Sequence, residues 1–305
     1  MKKKFGLITE IGKKGDPNYG TRELFHNQLK EYEVTAFSWE GVKNNISQEA
    51  YNFKENRPLE RNLKDYSVVY LSGLGEIEGK KKELLTFLEN LKNLEGIVIN
   101  NPFTMIGNFD KKYLLALQEK GIPVIPTIEV TGWDYKKING FKFKGYNESI
   151  IKPRIFGERS KGIKRIGESP FNPKEFESFL EEYGKEMLMQ PFIEDIMKYG
   201  ERSLVFVGNN FSHAIYRHRD VWFTNTTQKP APEVKPKNEE LETAEKVFEN
   251  WKGQYDITRL DFICHKGKPL ISEVEMVNPN LWLGEGKTKV DEKFMKLFMN
   301  HLEKK

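Results

Sequence analysis

Short apolar runs alternate with longer amphipathic stretches along the first hundred residues. Lys4 to Thr9 reads as a buried strand, Thr21 to Lys30 as a helix, and Val34 to Trp39 as a second strand. SVVYL at 67–71 is a third strand, closed by Gly73 and Gly75 ahead of a helix from about Gly79 to Leu94. GIVIN at 96–100 is a fourth, stopped by Asn101-Pro102. Strands and helices alternating through short connections predict a parallel sheet covered by helices.

The pattern changes after Pro102. Asp110 to Lys120 reads as a helix ended by Gly121, and IPVIPT turns the chain into a strand. Phe141 to Lys144 alternates, Ser149 to Lys152 and Ile163 to Ile166 are strands, Phe176 to Tyr183 is a helix, and Met187 to Gln190 is a strand. Ser203 to Val207, Phe211 to Arg217 and Val221 to Thr224 predict an antiparallel meander. Glu239 to Trp251 is helical, an acidic hairpin follows, and a last helix starts near Asp291. Gln228 to Lys237 is Pro-rich and charged, which predicts a mobile connection.

Length allows two or three subdomains in 305 residues, with 38% hydrophobic and 31% charged positions. No run approaches the roughly 18–20 apolar residues that a membrane span needs. MKKKFGLITE has too short an apolar stretch for a signal peptide. The single cysteine, Cys264, excludes an intrachain disulfide and fits a reducing compartment, so a cytoplasmic setting is expected. The net charge of +4 is spread among 45 acids, and interspersed lysines of this kind are a solvated surface rather than a nucleic-acid footprint.

Candidate chemistry concentrates in three segments. In LDFICHKGKPLISEVEMVNPNLWL, from Leu260 to Leu283, Asp261 lies on one apolar strand and Glu273 and Glu275 on the next, joined by a tight Lys-Gly-Lys-Pro turn. Residues two apart on a strand share a face, and paired strands set their side chains side by side. Three carboxylates among apolar neighbours repel one another unless a cation joins them, and magnesium takes such oxygen ligands while bridging to phosphates. In IIKPRIFGERSKG, 150–162, a buried strand delivers Lys152 to a loop with Ser160 and Gly162, whose N–H groups can close over phosphate oxygens. Alone, this is equally an ordinary basic surface loop. In MLMQPFIED, 187–195, a strand turns through Gln190, Phe192 and Ile193 to Glu194, a shape able to clamp a base edge and ribose hydroxyls.

In this order the segments resemble the ATP-grasp family of carboxylate–amine ligases, from about Asn100 to Leu283. The resemblance rests on FDKKYLLALQEKGIPVIPT at 109–127, Ile151-Lys152-Pro153, Gln190 to Glu194, Arg259-Leu260-Asp261 and Glu273-Val274-Glu275. Within the family the chain looks most like glutathione synthetases, ribosomal-protein glutamate ligases and the cyclo-ligase forming D-cycloserine, the last through YGERSLVFVGNNFSHAIYRHR and SEVEMVNPNLWL. Two departures stand out. The usual Glu-x-Asn pair reads Glu273-x-Glu275 with Asn278 displaced, and the nucleotide loop carries Phe156 and Glu158 where glycine is common.

The resemblance implies an α/β (α+β) chain: a Rossmann-like domain over 1–103, then a two-subdomain ATP-grasp fold, the small part 104–188 and the large part 189–305. It implies ATP and Mg2+ as cofactors and small carboxylate and amine substrates, with no nucleic acid or membrane partner and a homodimer by analogy. Lys152 and Lys111, or Lys112, would bind phosphates; Asp261 and Glu273, with Glu275 or Asn278, would hold metal. Arg259 and Arg217 would steady the transferred phosphoryl group. Gln190, Phe192, Ile193 and Glu194 would frame adenine and ribose, and Arg202 would reach nucleotide or substrate. Tyr19, Arg22 and Trp39 enter as substrate contacts on the same ground. A small-molecule kinase on the same fold, or an ATP-binding protein without turnover, is the alternative.

Overall fold

A computed structural model describes residues 2–10, 17–42, 50–52, 57–59, 61–74, 80–131, 138, 143–155, 162–167, 172–218, 231–251, 255–284 and 288–305. Three sheets carry the chain. The first joins β1 (Lys3–Thr9), β2 (Tyr32–Ser38), β3 (Ala50–Asn52), β4 (Arg57–Leu59), β5 (Val68–Leu71) and β6 (Ile97–Ile99) in the order β4-β3-β2-β1-β5-β6. Here β2, β1, β5 and β6 run parallel. Helix α1 (Pro17–Gln28) lies on one face; α2 (Trp39–Val42) and α3 (Lys81–Leu91) lie on the other. With both faces covered, β5 is buried along its whole length, which is why SVVYL is apolar without alternation. Helix α3 turns Leu84, Phe87, Leu88 and Leu91 inward, the spacing of one helical face.

Asn101-Pro102 does more than stop β6. The Asn101 side chain accepts a hydrogen bond from Phe103 N–H, and Pro102 opens α4 (Pro102–Asn108). Helix α5 (Tyr113–Glu119) follows, and then the small antiparallel sheet β7-β10-β8-β9. Its strands are β7 (Ile128–Thr131), β8 (Ser149–Pro153), β9 (Lys164–Ile166) and β10 (Glu186–Pro191), with α6 (Pro173–Tyr183) packed on it through Phe176, Phe179 and Leu180. After a single turn, α7 (Ile196–Tyr199), comes the antiparallel sheet β13-β12-β11-β14-β15. It comprises β11 (Glu201–Val207), β12 (Asn210–Arg217), β13 (Glu233–Val234), β14 (Ile257–His265) and β15 (Lys268–Glu275). Helix α8 (Asn238–Asn250) covers one face and α9 (Thr288–Leu302) part of the other. Residues 219–230, which include the expected strand at 221–224, and 141–142 of the alternating segment lie outside the described residues.

The expected division of the chain is corrected in two places. The limit at 103/104 falls inside α4, and the limit at 188/189 falls inside β10, which pairs continuously with β7 and β8. Leu114, Leu117, Ile122 and Val124 pack with Leu260, Ile271 and Val274 of the large sheet and, from the small sheet, with Leu188. The α4–α5 segment therefore belongs by packing to its neighbours on either side.

Two glycines lock the first domain to the last. A Cβ on Gly20 would lie 2.3 Å from the Gly284 carbonyl oxygen, so α1 crosses the 281–284 segment backbone to backbone. The Thr21 hydroxyl donates to Leu283 O at 3.1 Å beside it. Gly20→Ala is expected to lower stability by roughly 1–3 kcal/mol, the usual cost of overpacking. A thermal melt unchanged from the parent's would show that this contact can part freely.

Candidate functional site

One face of the five-stranded sheet divides in two. Val205, Val207 and Ile257 meet Phe294 and Phe298 of α9. Further along the same strands, alternation puts Glu201, Ser203, Arg259 and Asp261 on that face, beyond the helix. Leu204, Phe206, Leu260 and Phe262 point the other way, into the α8 core. The ladder register then shifts between Asp261 and Phe262: Asp261 pairs with Glu273 but Phe262 with Ile271. Ser272 is the extra residue of this bulge, and such an insertion re-aims the side chains around it. The Ser272 hydroxyl donates to Glu201 Oε1 at 2.7 Å, on the same face as Glu273.

Four acids and four bases meet here. Arg259 holds Asp261 with two bonds, Nε to Oδ1 and Nη2 to Oδ2, each 2.9 Å. Its Nη2 also lies 3.7 Å from Glu273 Oε2. Arg217 pairs with Glu201 and lies 3.5 Å from Asp261 Oδ2. Lys111 Nζ is 3.3 Å from Glu273 Oε1, and Lys152 Nζ donates to Ser272 O at 3.4 Å. Of the two candidate lysines, Lys111 joins the cluster, while Lys112 points to Glu129 at 3.2 Å.

Burial sets the electrostatics. Burial works against charge on Asp261, yet Arg259 and then Arg217 outweigh it and hold its carboxyl below the usual range. Burial, then the Glu273 charge, raises Glu275. Burial pushes Lys152 down to about 8; Glu273 opposes the change and Lys111 adds to it. A buried lysine that keeps its charge below about pH 8 lacks the full solvation of an ammonium, and a phosphate would supply the missing partner.

The carboxylates do not form a ready cage. Among the described residues no group of three or more His, Cys, Asp or Glu side chains is gathered to hold a metal ion. The physical reason is that the arginines took the place of the cation: Arg259 occupies both oxygens of Asp261. Glu275 Oε1 accepts Val277 N–H at 2.8 Å and Asn278 N–H at 3.0 Å, while Asn278 Oδ1 accepts Leu74 N–H at 3.1 Å. Asn278 is thereby turned toward the first domain. The donor set still fits a hard divalent cation, since Glu273 and Glu275 offer oxygens, and burial first and the Glu273 charge second raise Glu275, both of which such an ion would offset.

The other expected residues divide into those the fold brings near and those it does not. Gln190 ends β10 across from Ile150, beside the Lys152 pairing position. Its Nε2 donates to Thr127 Oγ1 at 2.8 Å, while its buried Oε1 has no hydrogen-bond partner among the described residues. Phe192 lies under the Arg165 guanidinium at 3.8 Å, Ile193 packs with Ile125 and Ile263, and Glu194 is exposed. Gly162 has φ +79°, which favours glycine, and a Cβ there would meet the Tyr183 ring at 2.9 Å. Ser160, Phe156 and Glu158 lie outside the described residues. Arg202 is not brought to the cluster: it faces α8 and pairs with Glu240 at 2.5 Å. Trp39 is in the core against Phe87, Arg22 donates to Glu10 O, and the Tyr19 side chain lies outside the described part. His213 is a satisfied strand residue, its Nε2 2.9 Å from Leu281 O. Sequence reasoning missed Ser272 and Glu201; the signal for Glu201 was its even spacing from Ser203 on a strand whose odd positions turn polar at one end.

Comparisons with known proteins now bear on this geometry. The chain is 29% identical over 143 residues to the cycloserine biosynthesis protein DcsG of Streptomyces lavendulae, covering 45% of this chain and 47% of that protein. It is 29% identical over 195 residues to a tetrahydromethanopterin:alpha-L-glutamate ligase of Methanococcus maripaludis, covering 62% and 63%. The matched stretches thus span about half to three fifths of these relatives. The crystal structure of D-cycloserine synthetase DcsG superposes with a TM-score of 0.70 at 18% identity, covering 97% of this chain and 99% of that one. The chain has the ATP-grasp fold. D-alanine--D-alanine ligase from Bacillus anthracis, complexed with ATP, shares the ATP-grasp architecture over 99% of this chain and 100% of its own, with a TM-score of 0.60 at 16% identity. No protein-family model matches the chain. Among the described residues no helix is long and apolar enough to cross a membrane.

Proposed function

We propose that this chain is an ATP-dependent ligase that joins a small carboxylate to an amine through an acyl phosphate, releasing ADP and phosphate. The observation that carries the reading is the sheet face where Lys111 and Lys152 meet the Asp261–Glu273 strand pair. Phosphoryl transfer asks a protein chiefly for positioning and charge neutralisation, and this face supplies both. Lys152 and Lys111 bind phosphate oxygens. Gln190 to Glu194, on the path from the small sheet into the large one, frame adenine and ribose. Arg259 and Arg217 steady the transferred group and the acyl-phosphate oxygens. Asp261, Glu273 and Glu275 would hold magnesium, which when bound would screen the charge of the phosphate groups. Arg202, paired to Glu240, has no part in this.

The relatives are named for cycloserine biosynthesis, glutamate ligation and D-alanine ligation, so acids and amines of amino-acid type are the first substrates to try. A cytoplasmic setting and a homodimer complete the proposal. The test is ADP release from ATP and Mg2+ across pairs of amino acids and small carboxylates, with Glu273→Gln beside the parent. The parent is expected to release ADP only with both partners, and Glu273→Gln to lose roughly 100-fold or more of that rate, as when one charge-stabilising contact is removed. Equal rates would remove Glu273 from the phosphate machinery.

A further inference from the structure

Among the described strands β15 lies at the edge of its sheet, paired with β14 alone. An open edge leaves backbone groups without partners and a strand without a fixed register. Near the start of β15 the backbone at 123–125 closes this edge: Ile271 N–H donates to Pro123 O at 2.9 Å, and Ile125 N–H donates to Ile271 O at 3.0 Å. Further along, where the acids lie, side chains take over. The Tyr113 hydroxyl donates to Val274 O at 2.8 Å and accepts from Val274 N–H at 3.0 Å. Asn108 Nδ2 donates to the same Val274 carbonyl at 2.8 Å, and its Oδ1 accepts from Met276 N–H at 2.8 Å. Val274 is the residue between Glu273 and Glu275, so the peptide that separates the two acids is gripped at both ends.

The segment doing this has a second side. Lys111, between Asn108 and Tyr113, pairs with Glu273 itself at 3.3 Å. Its own N–H donates to Arg154 O at 2.9 Å, and Asp110 bridges Ile155. Arg154 Nε returns to Asp110 Oδ1 at 2.9 Å. Arg154 and Ile155 continue directly from Lys152. Residues 108–113 are therefore bonded on one side to the acid strand and on the other to the chain leaving Lys152.

We propose that Asn108 and Tyr113 are positioning residues, which fix Glu273 and Glu275 in register and tie them through Asp110 and Lys111 to the Lys152 strand. This rests on the ligase reading above. A partner that orients a ligating carboxylate typically changes metal affinity or activity about 10- to 100-fold when removed.

The test compares Tyr113→Phe with the parent. Magnesium is titrated by calorimetry into protein with a non-hydrolysable ATP analogue, and amide hydrogen exchange is followed at Val274. We expect at least a tenfold weaker Mg2+ response and faster exchange at Val274, with analogue binding in the absence of metal within about threefold of the parent's. Tyr255→Phe serves as control, since it removes a hydroxyl that donates to Asn209 at 2.7 Å on the surface, and should match the parent in both measurements. Asn108→Ser, which releases Val274 and Met276 while leaving Tyr113 in place, is read in the same way and covers the case in which Tyr113→Phe folds poorly. A Mg2+ response equal to the parent's in both variants overturns the inference, even with faster exchange, because the grip would then be structural only. A parent that binds the analogue with no response to Mg2+ overturns the ligase reading and this inference together.

Discussion

Lys152→Met is expected to stabilise the fold and to lower ATP turnover by roughly 100- to 1,000-fold. The two effects have one cause. Lys152 is 9% exposed, and burial holds its ammonium at about 8 against an ordinary 10.5. Below pH 8 the lysine is charged in both the folded and the unfolded chain, so folding bears the whole desolvation cost. The gap between about 8 and 10.5, at roughly 1.4 kcal/mol per pH unit, bounds that cost at about 3.5 kcal/mol. Between pH 8 and 10.5 the unfolded chain binds a proton that the folded chain does not, so parental stability rises with pH across this window. The methionine variant should lack that rise and melt higher than the parent at pH 7. Urea unfolding from pH 6.5 to 10 measures both. A variant less stable than the parent at pH 7 would mean that Glu273 and Ser272 compensate the ammonium fully in the folded state.

Arg259→Met should have the opposite effect on stability, a loss of roughly 3–5 kcal/mol at pH 7, the usual result of stranding one partner of a buried ion pair. Asp261 is fully buried, and both its oxygens depend on Arg259. Arg217, 3.5 Å away and paired with Glu201, is poorly placed to replace it. In the parent the depressed carboxyl contributes stability above its unfolded value of 3.8, which is lost as the pH falls through the folded one. The deficit of the variant should therefore shrink in acid, where Asp261 is neutral. Adding Asp261→Asn to Arg259→Met should recover part of the loss. Denaturant midpoints at pH 7 and below pH 3.8 decide the matter, and a deficit under about 1 kcal/mol at pH 7 would show the pair to be solvated.

Much of the chain was legible because its local chemistry is consistent. The unbroken apolar runs SVVYL and GIVIN are the two-sided strands β5 and β6, and the Leu84-Phe87-Leu88-Leu91 spacing is the buried face of α3. Asn101-Pro102 was harder. The pair signals a strand end and a helix start equally well, and the cap bond to Phe103 N–H decides for the helix. The short elements α2, β3, β4 and β13 have too few residues to establish a period.

The candidate site shows where pattern reading ends. The family resemblance, carried by residue types and chain order, placed Lys152, Arg259, Asp261, Glu273 and Glu275 in one site; period-two alternation by itself assigned only the acids to a common face. Whether Arg202 shares that face depends on which residues of β11 meet α8, and Glu240, 38 residues away, claims it. The bulge at Ser272 breaks the alternation on which any reading of β15 relies. The pairing of Asp261 with Arg259 in place of a carboxylate cage depends on how deeply both are buried, which follows from packing. The sequence by itself determined the order of strands and helices and which side chains carry charge, since these follow from short-range periodicity and turn chemistry. Only the tertiary structure decided which charges neutralise one another and which edge Asn108 and Tyr113 close: Lys111 meets Glu273, and Asn108 and Tyr113 meet Val274, across more than 160 residues, and only when the sheets are packed.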